Sequence, residues 1–206
     1  MRALITGFNS FANIKTNPSQ LIVENIHPQK FIPDVEVTTV VLPTEFSAAG
    51  NKLQQLITTI SPQIILLLGV AAKRNIISLE RVALNLNDCS IADNAGCTHR
   101  GKLIIEQAPL AYFSTLPLTD LQKELQKNAI ATEISNHAGT YVCNHVFYLA
   151  LHCIEQLQLN AACGFIHVPL ISTDSDPSIT LQKLINAVEL SIKFLVRTKS
   201  GPDKKP

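Results

Sequence analysis

Tryptophan is absent from this chain of 206 residues, methionine occurs once, and aromatic residues make up only 5%. Charge is scarce as well: Asp, Glu, Lys and Arg together reach 16%, well below the usual ~25%. Seventeen basic against 16 acidic residues leave a formal charge of +1 with no long basic run, which excludes the electrostatic footprint of a nucleic-acid partner. The longest apolar stretch, Ile64 to Ala72, falls far short of the ~20 residues a membrane span requires. The apolar run before Thr6-Gly7 is only three residues, Ala3-Leu4-Ile5, too few for a signal-peptide core, so the expected compartment is the cytoplasm. The five cysteines include no C-x-x-C pair. In a reducing compartment they are expected to be free thiols, and neither a metal nor a cofactor is expected. GxGxxG, the Walker loop, HExxH and GxSxG are all missing, which argues against dinucleotide, nucleoside-triphosphate, zinc-protease and serine-hydrolase chemistry. Cysteine chemistry is left.

The hydrophobic share is 46%, and a chain of this length buries roughly 70% of its extended surface on folding. Short aliphatic runs alternate with amphipathic stretches. Strands are predicted over Arg2–Ile5, Val35–Leu42, Ile64–Leu68, Ile130–Ile134 and Cys163–Val168, and helices over Asn17–Ile26, Phe46–Ile60, Leu118–Leu125, Val142–Leu157 and Ile179–Val196. That alternation predicts a single-domain α/β fold, a three-layer α/β/α sandwich around a mixed, largely parallel sheet. Residues 1–197 form the expected domain, and the polar tail 198–206 (TKSGPDKKP, from Thr198) is expected to be disordered. The stretch Asp88–Gln107 shows no period and is expected to form a functional flap or rim.

Cys143 opens a predicted helix on the same stripe as Val146, Phe147, Ala150 and Ile154, while His145, Tyr148 and His152 fall on the opposite face. Its thiol therefore points inward, in a first turn whose dipole and free N–H groups favour a thiolate. Alkylation of Cys143 well below pH 8, ahead of the other four thiols, is the expected consequence. A small buried hydrophobe is the plainer reading of the same position. His167 falls near the C-terminal end of a predicted buried strand, the edge where active sites of open α/β sheets gather; a hydrogen-bonded core histidine is the alternative. Glu80, set among aliphatic residues, suits the orienting role in a triad, or else belongs to a Glu80–Arg81 surface patch. His145 and His152 share a helix face without an acidic or thiol partner at metal-ligand spacing, so a solvated face is expected there.

Several segments together resemble pyroglutamyl peptidase I, a family of cytosolic cysteine peptidases also called pyrrolidone-carboxylate peptidases. They are Thr6-Gly7-Phe8 with Phe11 and Asn17-Pro18-Ser19; Ile77 to Asn85 (ISLERVALN); Asp93-Asn94; Ala111 to Pro117 (AYFSTLP); Ser135-Asn136 with Ala138 to Asn144 (AGTYVCN); and Gly164 to Pro169 (GFIHVP). The resemblance implies an α/β/α fold of the phosphorylase/hydrolase type. It implies Cys143 as nucleophile, His167 as general base and acid, and Glu80 as the residue that orients the histidine. The implied activity is an omega-peptidase that removes N-terminal pyroglutamyl (5-oxoprolyl) groups from peptides through a thioester, with Phe8, Phe11 and Tyr141 lining the ring pocket. A homo-oligomer, dimer or tetramer, is also consistent with the family.

The chain departs from the family pattern where Ala12-Asn13 replace Gly-Gly, where Ser90 stands in place of an arginine, and where Leu170-Ile171-Ser172 replace the usual continuation. These departures motivate a second reading: a non-catalytic or low-activity homologue that binds a pyroglutamyl group or a related small acyl amide.

Overall fold

Parallel strands need crossover connections, and this chain places a helix in most of them. The computed structural model describes residues 1–12, 14–30, 32–171 and 179–200. Its elements in chain order are β1 (Arg2–Phe8), α1 (Pro18–Asn25), β2 (Glu36–Leu42), α2 (Phe46–Ile60), β3 (Ile64–Val70), β4 (Ile77–Leu84), β5 (Ala111–Phe113), α3 (Leu118–Lys127), β6 (Thr132–His137), α4 (Val142–Gln156), β7 (Ala162–Val168) and α5 (Leu181–Ser200). The strands form one seven-stranded sheet in the order β2-β1-β3-β7-β4-β5, with β6 also paired to β4. Strands β2, β1, β3 and β7 run parallel, as do β4 and β6, whereas β4 is antiparallel to both β7 and β5. The mixed, mostly parallel sheet and its two helical layers agree with the fold expected from the alternating pattern.

Side chains alternate between the two faces of a strand, and β3 shows what this does here. Ile64, Leu66 and Leu68 join the core beneath α1, α3 and α5, with Ile22, Leu121 and Ile192. Ile65 and Leu67 join the core beneath α2 and α4, with Leu53, Phe147 and Phe165. An aliphatic run buried on both faces is the mark of a central parallel strand. On the outer face of β1, α1 approaches so closely that a Cβ on Gly7 would run into the Ser19 carbonyl. The cap explains that approach: Asn17 Oδ1 accepts from Ser19 N at 3.0 Å while Ser19 Oγ accepts from Phe8 N at 3.0 Å.

Three expectations need correction. β4 was not among the predicted strands, because Glu80-Arg81 interrupts its aliphatic pattern. α4 does not have a solvated face: Tyr148 is fully buried, its hydroxyl donating to Pro109 O at 2.6 Å, and His152 meets Tyr112 of β5. The last helix continues to Ser200, so the expected tail is helical over residues 198–200, and residues 201–206 lie outside the described residues. Among the described residues no helix is long and apolar enough to cross a membrane.

The turn after β1 carries strain that a single substitution relieves. Ile14 N donates to Phe11 O at 2.9 Å, and Ala12 within that turn has φ 47°. That left-handed conformation costs an L-residue about 1–2 kcal/mol, against about 0.5–1 kcal/mol of extra chain entropy lost by glycine. Ala12 is exposed. Ala12→Gly is therefore expected to raise Tm by about 1–4 °C, as read by calorimetry; a lower Tm would show that the turn holds no such strain.

Candidate active site

The site is assembled from β4 outward. Glu80 has 0% exposure, and its Oε1 lies 2.7 Å from His167 Nδ1 and 2.6 Å from Arg74 Nη1. The strand register produces the first contact: Ser78 stands opposite His167 and Glu80 opposite Phe165 in the antiparallel β4–β7 pair, so Glu80 and His167 are diagonal neighbours on one face. Burial works to raise the Glu80 pKa, but the hydrogen bond and charge of His167, with Ser135 and Arg74, outweigh it and hold the carboxyl below its ordinary range. An ionised carboxylate only accepts hydrogen bonds, so the imidazole proton sits on Nδ1 and Nε2 is left with its lone pair. The surface-patch reading of Glu80 fails on this geometry. Arg81 is the exposed member, and it donates to Asn136 Oδ1 at 2.9 Å instead.

Cys143 is the second residue of α4, whose start has no side-chain cap, so first-turn N–H groups remain available to a ligand. Asn144, fully buried, pins this turn to the end of β4: its Oδ1 accepts from Leu84 N, and its Nδ2 donates to the carbonyls of Leu84 and Leu86, all at 2.9–3.0 Å. The helix that carries the thiol is thus tied to the strand that carries Glu80. On its other side the sulfur lies over Gly69 of β3, where an added Cβ would come within 2.9 Å of Sγ and 2.7 Å of the Phe165 ring. Gly69 is paired in register with His167. The thiol therefore lies over the strand next to the one that carries the imidazole.

The acidity of the thiol runs against the sequence expectation. Burial pushes Cys143 up to about 12, the negative charge of Glu80 adds to this, and only the backbone N–H of its own turn works the other way. Desolvation outweighs the helix start, so the resting group is a thiol. Alkylation of the free protein by iodoacetamide at pH 7 is accordingly expected to begin at Cys97, the exposed cysteine, while Cys143 labels at a rate that climbs about tenfold per pH unit well past pH 8. Mass mapping of the adducts reads the order; Cys143 labelling first at pH 7 would reverse this account.

The aromatic candidates separate. Phe11 and Tyr141 lie 5.9 Å apart by ring centroid, and Phe46 approaches Tyr141 at 5.4 Å. Phe8 is 2% exposed and belongs to the core beneath α2 and α4; no ring pair among the described residues joins it to Phe11 or Tyr141. Tyr141 donates to Ala92 O at 3.0 Å, which brings the Asp88–Gln107 stretch into the site as a fixed rim. Asp93, buried in that rim, accepts from Phe46 N at the start of α2 and from Ala95 N and Cys97 N, at 2.8–3.0 Å. Asn94 Nδ2 reaches back to Ser10 O at 2.9 Å. His145 packs on Phe46 and contacts Asn87, and burial, aided by His99, lowers its pKa to about 4. No group of potential metal ligands stands together among the described residues. A cleft of about 780 Å³ bordered by Ile77, Ile130 and Leu190 lies on the α5 side and contains none of the candidate side chains.

Arg74, Gly69, Asn144 and Asp93 escape sequence reasoning as structural parts of the site, because each acts across the fold and none carries a local pattern. The motif blocks holding Asp93 and Asn144 were the only available signal.

A thiol at a helix start, beside an imidazole whose far nitrogen is held by a buried carboxylate, defines the class: a hydrolase of the cysteine type on an α/β sandwich. Comparison with known proteins narrows it. The family model for pyroglutamyl peptidase matches residues 1–198. The chain is 43% identical over 198 residues to the pyrrolidone-carboxylate peptidase of Oceanobacillus iheyensis, covering 94% of this chain and 98% of the relative. It is 40% identical to that of Brachyspira hyodysenteriae over the same shares. The crystal structure of pyrrolidone carboxyl peptidase from Pyrococcus furiosus superposes with a TM-score of 0.91 at 36% identity, covering 96% of this chain and 99% of that one. The chain belongs to the pyroglutamyl peptidase family, and it is a cysteine-type peptidase.

Proposed function

We propose that this protein removes N-terminal pyroglutamyl groups from peptides, with Cys143 as nucleophile, His167 as general base and acid, and Glu80 as the residue that orients the imidazole. The observation that carries the reading is the 2.7 Å contact between His167 Nδ1 and Glu80 Oε1, in a chain of this family whose thiol rests above the register partner of that histidine. Nε2 takes the Cys143 proton as sulfur attacks the pyroglutamyl carbonyl, and the oxyanion that forms is met by N–H groups at the start of α4. The C–N bond then breaks, the peptide amine leaves with the proton from Nε2, and the acyl group remains as a thioester. Water, deprotonated by the same nitrogen, hydrolyses that thioester and returns the proton to sulfur. Because the resting group is a thiol, proton transfer accompanies attack instead of preceding it.

The pyroglutamyl ring is compact and uncharged, which suits an apolar pocket with few polar contacts. Phe11 and Tyr141 support that assignment by standing together at the rim; Phe8 would act from below, as packing under the pocket floor. The binding-only homologue is the weaker reading, since the Cys143, His167 and Glu80 set is complete. Incubation with a pyroglutamyl-coumarylamide tests the proposal: release of the fluorophore, inhibited competitively by pyroglutamate analogues, is expected. Absence of release together with protection of Cys143 from alkylation by those analogues would favour the binding reading.

A further inference from the structure

We propose that Arg74 is a positioning residue for the reaction: its guanidinium fixes which oxygen of Glu80 faces His167, and its permanent charge holds off protonation of the Glu80–His167 pair. The inference rests on the peptidase reading above and adds to the site a residue from outside the motif that holds Glu80.

Glu80 Oε1 receives two donors, Arg74 Nη1 at 2.6 Å and His167 Nδ1 at 2.7 Å, whereas Oε2 is buried without a hydrogen bond. A free carboxylate in this setting would turn to share its two oxygens between two donors; both donors converge here on one. The second arm of the guanidinium explains why the arrangement holds. Arg74 Nη2 donates to Ser135 Oγ at 3.2 Å, and that hydroxyl donates to His137 O at 3.3 Å. Ser135 is the register partner of Glu80 across the parallel β4–β6 pair, so the clamp is anchored to the strand beside the carboxylate. Arg74 comes from the β3–β4 connection and is 30% exposed, which leaves its charge only partly screened.

A fully buried carboxylate needs a compensating cation. Arg74 supplies a cation whose charge does not depend on the protonation state of the imidazole. A fixed positive charge adjacent to the pair also opposes uptake of one more proton. Among the described residues the other titratable groups around the pair are Cys143 on α4 and Glu133 on β6, which accepts from Ser78 Oγ at 2.8 Å. On β4 and β6, Arg81 and His137 are exposed, as is Lys73 beside Arg74. Glu133 is a carboxyl group and works in the opposite sense to Arg74, and among the described residues the guanidinium is the permanent cation that touches the pair.

The test compares wild type with Arg74→Met and Arg74→Lys by two readouts. The first follows the imidazole ¹⁵N resonances of His167 against pH, assigned by their loss in His167→Gln. The second is the pH profile of kcat/KM on a pyroglutamyl-coumarylamide. Arg74→Met is expected to let the pair take up its proton about one pH unit higher, with a tenfold loss of kcat/KM on the acid side. KM on the alkaline side is expected to stay within about twofold, and Arg74→Lys to recover more than half of the shift, because it keeps the charge. Coincident titrations of wild type and Arg74→Met would overturn the proposal. If Arg74→Met fails to fold, Arg74→Gln, which keeps an N–H donor without the charge, makes the same comparison. If wild type shows no turnover, the peptidase reading fails while the resonance titration still decides the role of Arg74.

Discussion

Replacement of Cys143 by alanine is expected to lower kcat on a pyroglutamyl-coumarylamide by a factor of about 10⁴–10⁶, because nucleophile and base act as one unit and either loss removes most of the catalysis. The fold should survive the change. Cys143 is partly exposed at a helix start, alanine is a good helix former there, and Asn144 and Gly69 keep α4 in place on both sides. The variant should therefore match wild type in its circular dichroism spectrum and still bind a pyroglutamate analogue by calorimetry. Residual turnover within about tenfold of wild type would assign the chemistry to another group. Loss of both turnover and binding would show that the sulfur shapes the pocket as well.

Glu80→Gln carries the second largest expectation. The amide has the shape of the carboxylate, so packing around β4 is nearly unchanged, but the charge that supports an imidazolium during attack is gone. Arg74 is left facing a neutral group, and the Gln amide competes for His167 Nδ1 as a donor and favours the wrong tautomer. A loss of about 10²–10⁴ in kcat/KM, concentrated in kcat, is expected by analogy with the carboxylate of serine-protease triads. The substitution also changes acid stability in a direction the geometry fixes. The Glu80 pKa is lowered in the folded protein, where burial is outweighed by His167, Ser135 and Arg74. A depressed carboxylate contributes stability that is present above its unfolded value of about 4.3 and is lost as pH falls from there through the folded value. The difference in Tm between wild type and Glu80→Gln is thus expected to be largest near neutrality and to shrink below about pH 4. A difference that grows in acid would contradict the assignment of Glu80 as an ionised partner.

What could be read in advance follows from how far each signal reaches along the chain. Aliphatic runs such as Ile64 to Leu68 need both faces buried, and that alone announces a central strand. A cysteine at the head of an amphipathic helix and a histidine at a strand end are local patterns too, so two of the three candidates stood out before any geometry was known. β4 did not, because the side chain that makes it chemically important also breaks its hydrophobic pattern: Glu80 is tolerated in the core only through Arg74 and His167, which arrive from a loop and from β7. The helix face bearing His145 and Tyr148 reads as solvated because its cover, Phe46, Asn87, Pro109 and Tyr112, comes from distant sequence. The upward shift of the Cys143 pKa has a related origin. Position in a helix is visible in sequence, but depth is set by what lies underneath, here a glycine on another strand.

That glycine sets the scale of the chemistry. With a hydrogen in place of a side chain at Gly69, sulfur rests on the sheet itself, over the strand next to the one that carries the imidazole. The placement of thiol and imidazole is therefore tied to the register of two adjacent strands. Rim and turn surfaces can change around them while Cys143 and His167 keep their places over the same two strands, as two fixtures bolted to the same floor.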